Sequence, residues 1–156
     1  GEMVFYNGRY SGDILKMEHL NIKLDHIGIV VKNLEHSKEY YKKTYGFNPL
    51  SDIIHEPIQK VNLIFIETGH GHMPVIELIT PSEVSSPVTN FLEKKGGGLH
   101  HLAYEVYDIE QAIEHFKQSG SLMVSKIVPG TGHKGRRTIW LYTAEKSLVE
   151  LIEAKK

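Results

Sequence analysis

Two histidines and two glutamates recur at matching places in this chain, and together they have the chemistry of a divalent-metal site. His26 stands in LDHIGIVV and His101 in LHHLAYEV, while Glu77 stands in VIELI and Glu150 in LVELI. Strand side chains alternate between faces, so Glu77 shares a face with Val75 and Ile79, and Glu150 with Leu148 and Ile152. Burying an unpaired carboxylate is costly enough that it would sooner be protonated, paired or bound to a metal. Either glutamate alone reads as a solvated surface charge; two in equivalent positions, each downstream of an equivalent histidine, do not. Two imidazoles and two carboxylates neutralise a divalent ion and suit octahedral or five-coordinate Zn²⁺, Ni²⁺, Co²⁺, Mn²⁺ or Fe²⁺, with positions left for water or substrate. The chain has no cysteine, so any metal site must use nitrogen and oxygen donors.

The elements that must position these residues form an internal repeat. LDHIGIVVKNLEHSKEYYKKTYGF (Leu24 to Phe47) aligns with LHHLAYEVYDIEQAIEHFKQSGSL (Leu99 to Leu122), which puts His26 on His101, Asn33 on Asp108 and Leu34 on Ile109. Glu77 falls on Glu150 after a short deletion. His100 takes the place of Asp25 and, by strand alternation, is expected to point away from His101. Leu24 to Val31 and Leu99 to Val106 read as strands. Asn33 and Asp108 are N-caps opening helices over about Leu34 to Tyr45 and Ile109 to Ser119, with Gln111 completing a capping-box spacing. Further strands are expected at Phe47 to Ile54, Val61 to Glu67 and Met73 to Thr80, then at Leu122 to Val128, Arg137 to Thr143 and Ser147 to Glu153. Between the halves, Ser86 caps a short helix with Pro87 at its first position and Gly96 at its end. The fold class is therefore α+β, built of two tandem βαβββ modules. The expected layout is a single domain over 1–156, with a leader (1–23), module one (24–80), a linker with a short helix (81–98) and module two (99–154).

Composition narrows the function classes. The chain has 156 residues, 40% hydrophobic and 24% charged, with a formal charge of −1. That gives no bulk electrostatic argument for nucleic acid or an anionic membrane as partner. No apolar run approaches the ~20 residues of a membrane span. The first residues, GEMVFYNGRYSGDILK, lack the basic start and apolar stretch of a signal peptide, Gly1 reads as a tag remnant, and Met17 offers an alternative start. A cytoplasmic location is expected. His19, His36, His55 and His115 read as surface residues, and His70, His72 and His133 as members of solvated Gly-containing turns. The HGH of 70–72 lacks the partners of an accessory metal site. Gly96 to Gly98 lacks GxxxxGK[ST] and reads as a flexible entry to a strand, not a phosphate loop.

The paired motifs, with IELITP, SSPVTNFLEKKGGGLHHLAYEVYDIEQAI and the closing LVELIEA, resemble the vicinal oxygen chelate (glyoxalase/bleomycin resistance/dioxygenase) superfamily over about Leu24 to Ala154, and within it most the methylmalonyl-CoA epimerase branch. The resemblance implies a cupped, mostly antiparallel sheet around a metal held by His26, Glu77, His101 and Glu150. It also implies a metal-dependent enzyme that stabilises an enolate of a chelated substrate, with Glu150 or Glu77 moving the proton. Glyoxalase-I-like lactoylglutathione lyases of the bacterial kind share the two-His, two-Glu set, so the ligands alone leave both activities open. A metal-free binding or resistance protein on the same fold would not need four complementary ligands, and a dioxygenase more usually has two histidines and one carboxylate. The expected substrate is a small molecule, an acyl-CoA or thiol adduct. Lys134, Arg136 and Arg137 could meet its phosphate, carboxylate or CoA diphosphate. Family members often dimerise, and Tyr6, Tyr10, Ile14 and Leu15 of the leader could cover an edge or a neighbouring copy. Two positions depart from the epimerase pattern. Leu63 stands where some epimerases carry a further catalytic glutamate, and Tyr142, Thr143 and Ala144 replace a terminal HPK.

Overall fold

The computed structural model of the chain describes residues 20–69 and 71–156. The expected roles of His19 and of leader residues Tyr6, Tyr10, Ile14, Leu15 and Met17 lie outside the described residues, as does His70 of the HGH stretch. Module one runs β1 (Lys23–Val30), α1 (Leu34–Tyr45), β2 (Ile54–Glu56), β3 (Val61–Thr68) and β4 (His72–Pro81). After α2 (Pro87–Lys95), module two repeats the order with β5 (Gly98–Val106), α3 (Ile109–Gln118), β6 (Leu122–Met123), β7 (Val128–Pro129), a 3-10 turn (Thr131–His133), β8 (Arg137–Tyr142) and β9 (Leu148–Glu153). This is the α+β pair of βαβββ modules that the repeat predicts.

Local chemistry explains the helices. Asn33 accepts the amide of His36 at 2.9 Å and Asp108 that of Gln111 at 3.0 Å, each satisfying an orphan donor of the first turn. Gly46 and Gly96 close α1 and α2 at φ of 74° and 76°, the left-handed conformation that glycine adopts without a Cβ penalty. The helices bury Leu34, Val88, Ile109, Ala112 and Ile113 against the sheet.

The nine strands form one sheet in the order β2-β3-β4-β1-β5-β9-β8-β6, with β7 also on β8. β1 and β5, the first strands of the two modules, pair antiparallel at its centre, and each pairs parallel with its own module's last strand, β4 or β9. The remaining pairings are antiparallel. The buried core divides with the modules. Ile109, Ile113, Ile139, Leu141, Val149 and Leu151 cluster in module two, and Leu34, Ile64, Ile66 and Leu78 under the first helix of module one.

Two expected strands are interrupted. Of Phe47 to Ile54 only Ile54 joins a strand, and Pro49 makes an isolated bridge to Ile66; proline has no N–H with which to extend a ladder. Leu122 to Val128 splits into β6 and the start of β7, because the Ser125 hydroxyl, not a strand carbonyl, accepts the Trp140 amide at 2.9 Å.

Candidate metal centre

The central antiparallel pair and its two flanking parallel pairs bring the repeated residues into two rows across the sheet. One row reads Phe65, Glu77, Gly28, His101 and the other His26, Ala103, Glu150, Trp140. The rows are related by the repeat, so a small residue, Gly28 or Ala103, stands beside each histidine and leaves room for its ring. The fit at Gly28 is close: a Cβ there would lie 2.0 Å from His101 Cε1.

His26, Glu77, His101 and Glu150 are all buried. His26 Nε2 lies 3.1 Å from His101 Nε2, 3.7 Å from Glu77 Oε2 and 3.5 Å from Glu150 Oε1, and His101 Nε2 lies 3.6 Å from Glu77 Oε1. Donors on one ion with bonds of about 2.1 Å are separated by about 3.0–3.4 Å at octahedral and tetrahedral angles, so this spacing suits a shared ion. The donor atoms of His26, Glu77 and His101 all lie within 4.8 Å of one another, and Glu150 joins them through His26.

The expectation that His100 faces away from His101 is overturned. The β1–β5 register slips once at Asp25 and once at His100, each an extra residue on its strand. A bulge breaks the alternation of the pleat, so both extra side chains reach the neighbouring ligand candidate. Asp25 Oδ2 lies 2.8 Å from His26 Nδ1, and His100 Nδ1 lies 2.9 Å from His101 Nδ1. Each module thus ties the Nδ1 edge of its histidine to the preceding residue and turns Nε2 toward the centre, the usual outer support of a metal-bound imidazole.

Burial and mutual proximity shift several of these groups from their ordinary titration ranges. Burial disfavours a charged His26, but Glu77, the Asp25 hydrogen bond and Glu150 outweigh it and push the imidazole up to about 9. Burial, with the nearby Glu150 charge, lifts Glu77 above the carboxylate range. Burial and the neighbouring imidazoles hold His101 well below its ordinary value, and burial lowers His100. Asp25 is lowered by its hydrogen bond to His26 despite its burial. Two imidazoles, two carboxylates and no thiolate fit a borderline or hard divalent ion.

Beside these groups lies a cavity lined by Glu77, Glu150, His100, His133 and Trp140 together with the apolar Ile58, Val61, Leu63, Ile79 and Val88. Leu63 is therefore an apolar wall of the cavity. His133, read from sequence as a solvated turn residue, is buried instead, with Nε2 3.4 Å from Glu150 Oε1 and its ring 5.2 Å from that of His26. The tight GTGHKG turn is visible in sequence, but not the face of the sheet onto which it folds. Among the other three sequence candidates, Arg136 pairs with Glu105 at 3.0 Å, while Arg137 bonds Glu153 and Glu110. Lys134 sits exposed at φ 56° at the end of the turn, without an ion-pair partner among the described residues.

The model of the Glyoxalase/Bleomycin resistance protein/Dioxygenase superfamily matches residues 25–140 of this chain. The chain is 33% identical over 135 residues to the uncharacterized protein YqjC of Bacillus subtilis (strain 168), covering 85% of this chain and 93% of that one. It is 34% identical over 132 residues to ethylmalonyl-CoA/methylmalonyl-CoA epimerase of Cereibacter sphaeroides, covering 83% and 96%. Among solved structures it is similar to a methylmalonyl-CoA epimerase in complex with methylmalonyl-CoA and NH4+, with 26% identity, a TM-score of 0.73, and 85% and 94% of the two chains covered.

Proposed function

The chain belongs to the glyoxalase/bleomycin resistance/dioxygenase superfamily, and from that premise we propose that it is a metal-dependent isomerase that epimerises an acyl-CoA thioester, most like methylmalonyl-CoA epimerase. One observation carries the reading: two histidines and two glutamates from equivalent strands of the two modules come together, their donor atoms 3.1–3.7 Å apart along the edges that join them, and the two glutamates also line the adjoining cavity. The names of similar proteins support the acyl-CoA class. The donor set fits a divalent ion such as Zn²⁺, Ni²⁺, Co²⁺, Mn²⁺ or Fe²⁺, with His26, Glu77, His101 and Glu150 as its ligands.

When bound, such an ion supplies Lewis acidity toward the carbonyl oxygens of the substrate, lowering the cost of the negative charge that develops on deprotonation. The chain's own residues do the rest. Asp25 and His100 fix the two imidazoles. Glu150 and Glu77, on the cavity wall, are the carboxylates that take the proton from the carbon next to the thioester. Loss of that proton leaves a planar enolate, and its return to the opposite face gives the epimer. Leu63, Ile79 and Val88 keep part of the cavity wall apolar, which strengthens the polar contacts within. Lys134 and Arg136, next to the 3-10 turn, meet the anionic part of the substrate, Arg136 sharing its guanidinium with Glu105; Arg137 instead ties β8 to Glu110 of α3 and Glu153 on the helix side of the sheet. Among the described residues, the modules over 24–80 and 99–154 act together as one domain.

The test is proton exchange in D₂O, with methylmalonyl-CoA in one arm and the hemithioacetal of a thiol and methylglyoxal in the other. Deuterium uptake at the α-carbon of the thioester, reduced ~10²–10⁴-fold by Glu150→Gln, supports the isomerase. Turnover of the hemithioacetal alone would assign the glyoxalase-type lyase, which the same donor set also suits.

A further inference from the structure

We propose that His133 is a fifth protein donor in the substrate-free protein, to the ion held by His26, Glu77, His101 and Glu150; the inference rests on the metal reading above. His133 comes from the 3-10 turn between β7 and β8, not from a strand. The corresponding turn of module one, residues 57–60, contains no histidine, so this donor breaks the symmetry of the repeat.

Three observations converge on the imidazole. It is 92% buried, since only 8% of the residue is exposed, where a turn histidine would ordinarily be solvated. Among the described residues the polar contact of its ring is Glu150 Oε1, 3.4 Å from Nε2. That is beyond a strong hydrogen bond and close to the spacing of neighbouring donors on one ion. Finally, its ring lies nearly parallel to that of His26, at 16° and 5.2 Å, while Asp25, His26 and His133 offer donor atoms within 4.8 Å of one another.

The turn is built to hold this position. The amides of His133 and Gly135 both donate to Gly130 O at 3.0 Å. Arg136 donates from its backbone N and from Nε to His133 O, and its guanidinium is anchored on Glu105 of β5. A Cβ at Gly130 would meet Thr138 Cγ2 at 2.8 Å and His133 Cδ2 at 3.1 Å, so the turn closes tightly beneath the imidazole. A surface loop would need none of these restraints.

The experiment uses the full chain, stripped with a chelator and reloaded with zinc. Zinc affinity is measured by competition with a colorimetric chelator, and the number of coordinated imidazoles by X-ray absorption at the zinc edge. The variants are His133→Ala and His133→Phe, the second keeping an aromatic ring against His26 and Phe65. The expected result is three imidazoles in the wild type, one fewer in His133→Phe, and zinc affinity at least ~10-fold weaker in a variant that still takes up about one equivalent. Two imidazoles in the wild type, or unchanged affinity in both variants, would overturn the inference and leave the four-ligand reading intact. No zinc uptake by the wild type would overturn both. Should both variants fail to fold, the wild-type imidazole count decides alone.

Discussion

Replacing Gly28 by alanine puts a methyl group into the space of the His101 ring. The added Cβ would lie 2.0 Å from His101 Cε1, 2.3 Å from Nδ1 and 2.6 Å from Nε2, far inside van der Waals contact. The ring has little freedom to retreat. It is buried, with His100 Nδ1 at 2.9 Å, His26 Nε2 at 3.1 Å and the Trp140 ring centroid at 4.6 Å. Overpacking of this kind typically costs ~1–3 kcal/mol. The backbone at Gly28 lies outside the left-handed region, so alanine is otherwise tolerated and would gain ~0.5–1 kcal/mol in a strand. In a His101→Ala background the clash is gone, and Gly28→Ala should be neutral or slightly stabilising. The alanine gain cancels between the two backgrounds, so the expected coupling is the clash itself, ~1–3 kcal/mol, read from urea unfolding of chelator-stripped wild type, both single variants and the double variant. Additive effects, within ~0.5 kcal/mol, would mean that the His101 ring does not occupy the space over Gly28 and would refute the row geometry on which the site is built.

Three further outcomes follow. In metal-free protein the His26 imidazole is pushed up to about 9 from 6.5; the folded state holds that proton more tightly, so this stability is complete below pH 6.5 and lost as pH rises through 9, up to ~3 kcal/mol on a pH series of urea midpoints. His101, held below 6.5, works the opposite way in acid, so the series should peak near neutrality and not rise steadily with pH. Asp25→Asn, which keeps the shape but removes the charge beside His26 Nδ1, should weaken zinc binding ~10–100-fold in chelator competition. Ser86→Ala should cost ~1–2 kcal/mol in denaturant unfolding, because Ser86 Oγ accepts the Val88 amide at 3.2 Å and donates to Gln59 O at 2.8 Å from a buried position.

Much of this architecture was legible in the sequence, because its determinants are local or repeated. Asn33, Asp108 and Ser86 announce their helices within four residues, and an offset of 75 residues carries His26 onto His101 along a continuous alignment. The ligand candidates emerged as a group because the same strand positions recur. What was not legible depends on packing between elements. Strand alternation presupposes an unbroken ladder, so the bulges that turn Asp25 and His100 toward their neighbours could not be read from either strand alone. His133 is buried by the way its turn folds onto β3 and β9, and nothing in GTGHKG specifies that face. Likewise, the break between β6 and β7 depends on Ser125 reaching the Trp140 amide, a contact across 15 residues.

The central claim is that the two modules jointly hold one ion through His26, Glu77, His101 and Glu150. Elemental analysis of protein purified without chelator and reloaded with divalent metal, wild type beside His101→Ala, Glu150→Ala and His100→Ala, tests it most directly. The account predicts about one equivalent of a divalent transition metal in wild type and in His100→Ala, and its loss from His101→Ala and Glu150→Ala. No metal in the wild type after reloading, or metal retained equally by all four proteins, would contradict it.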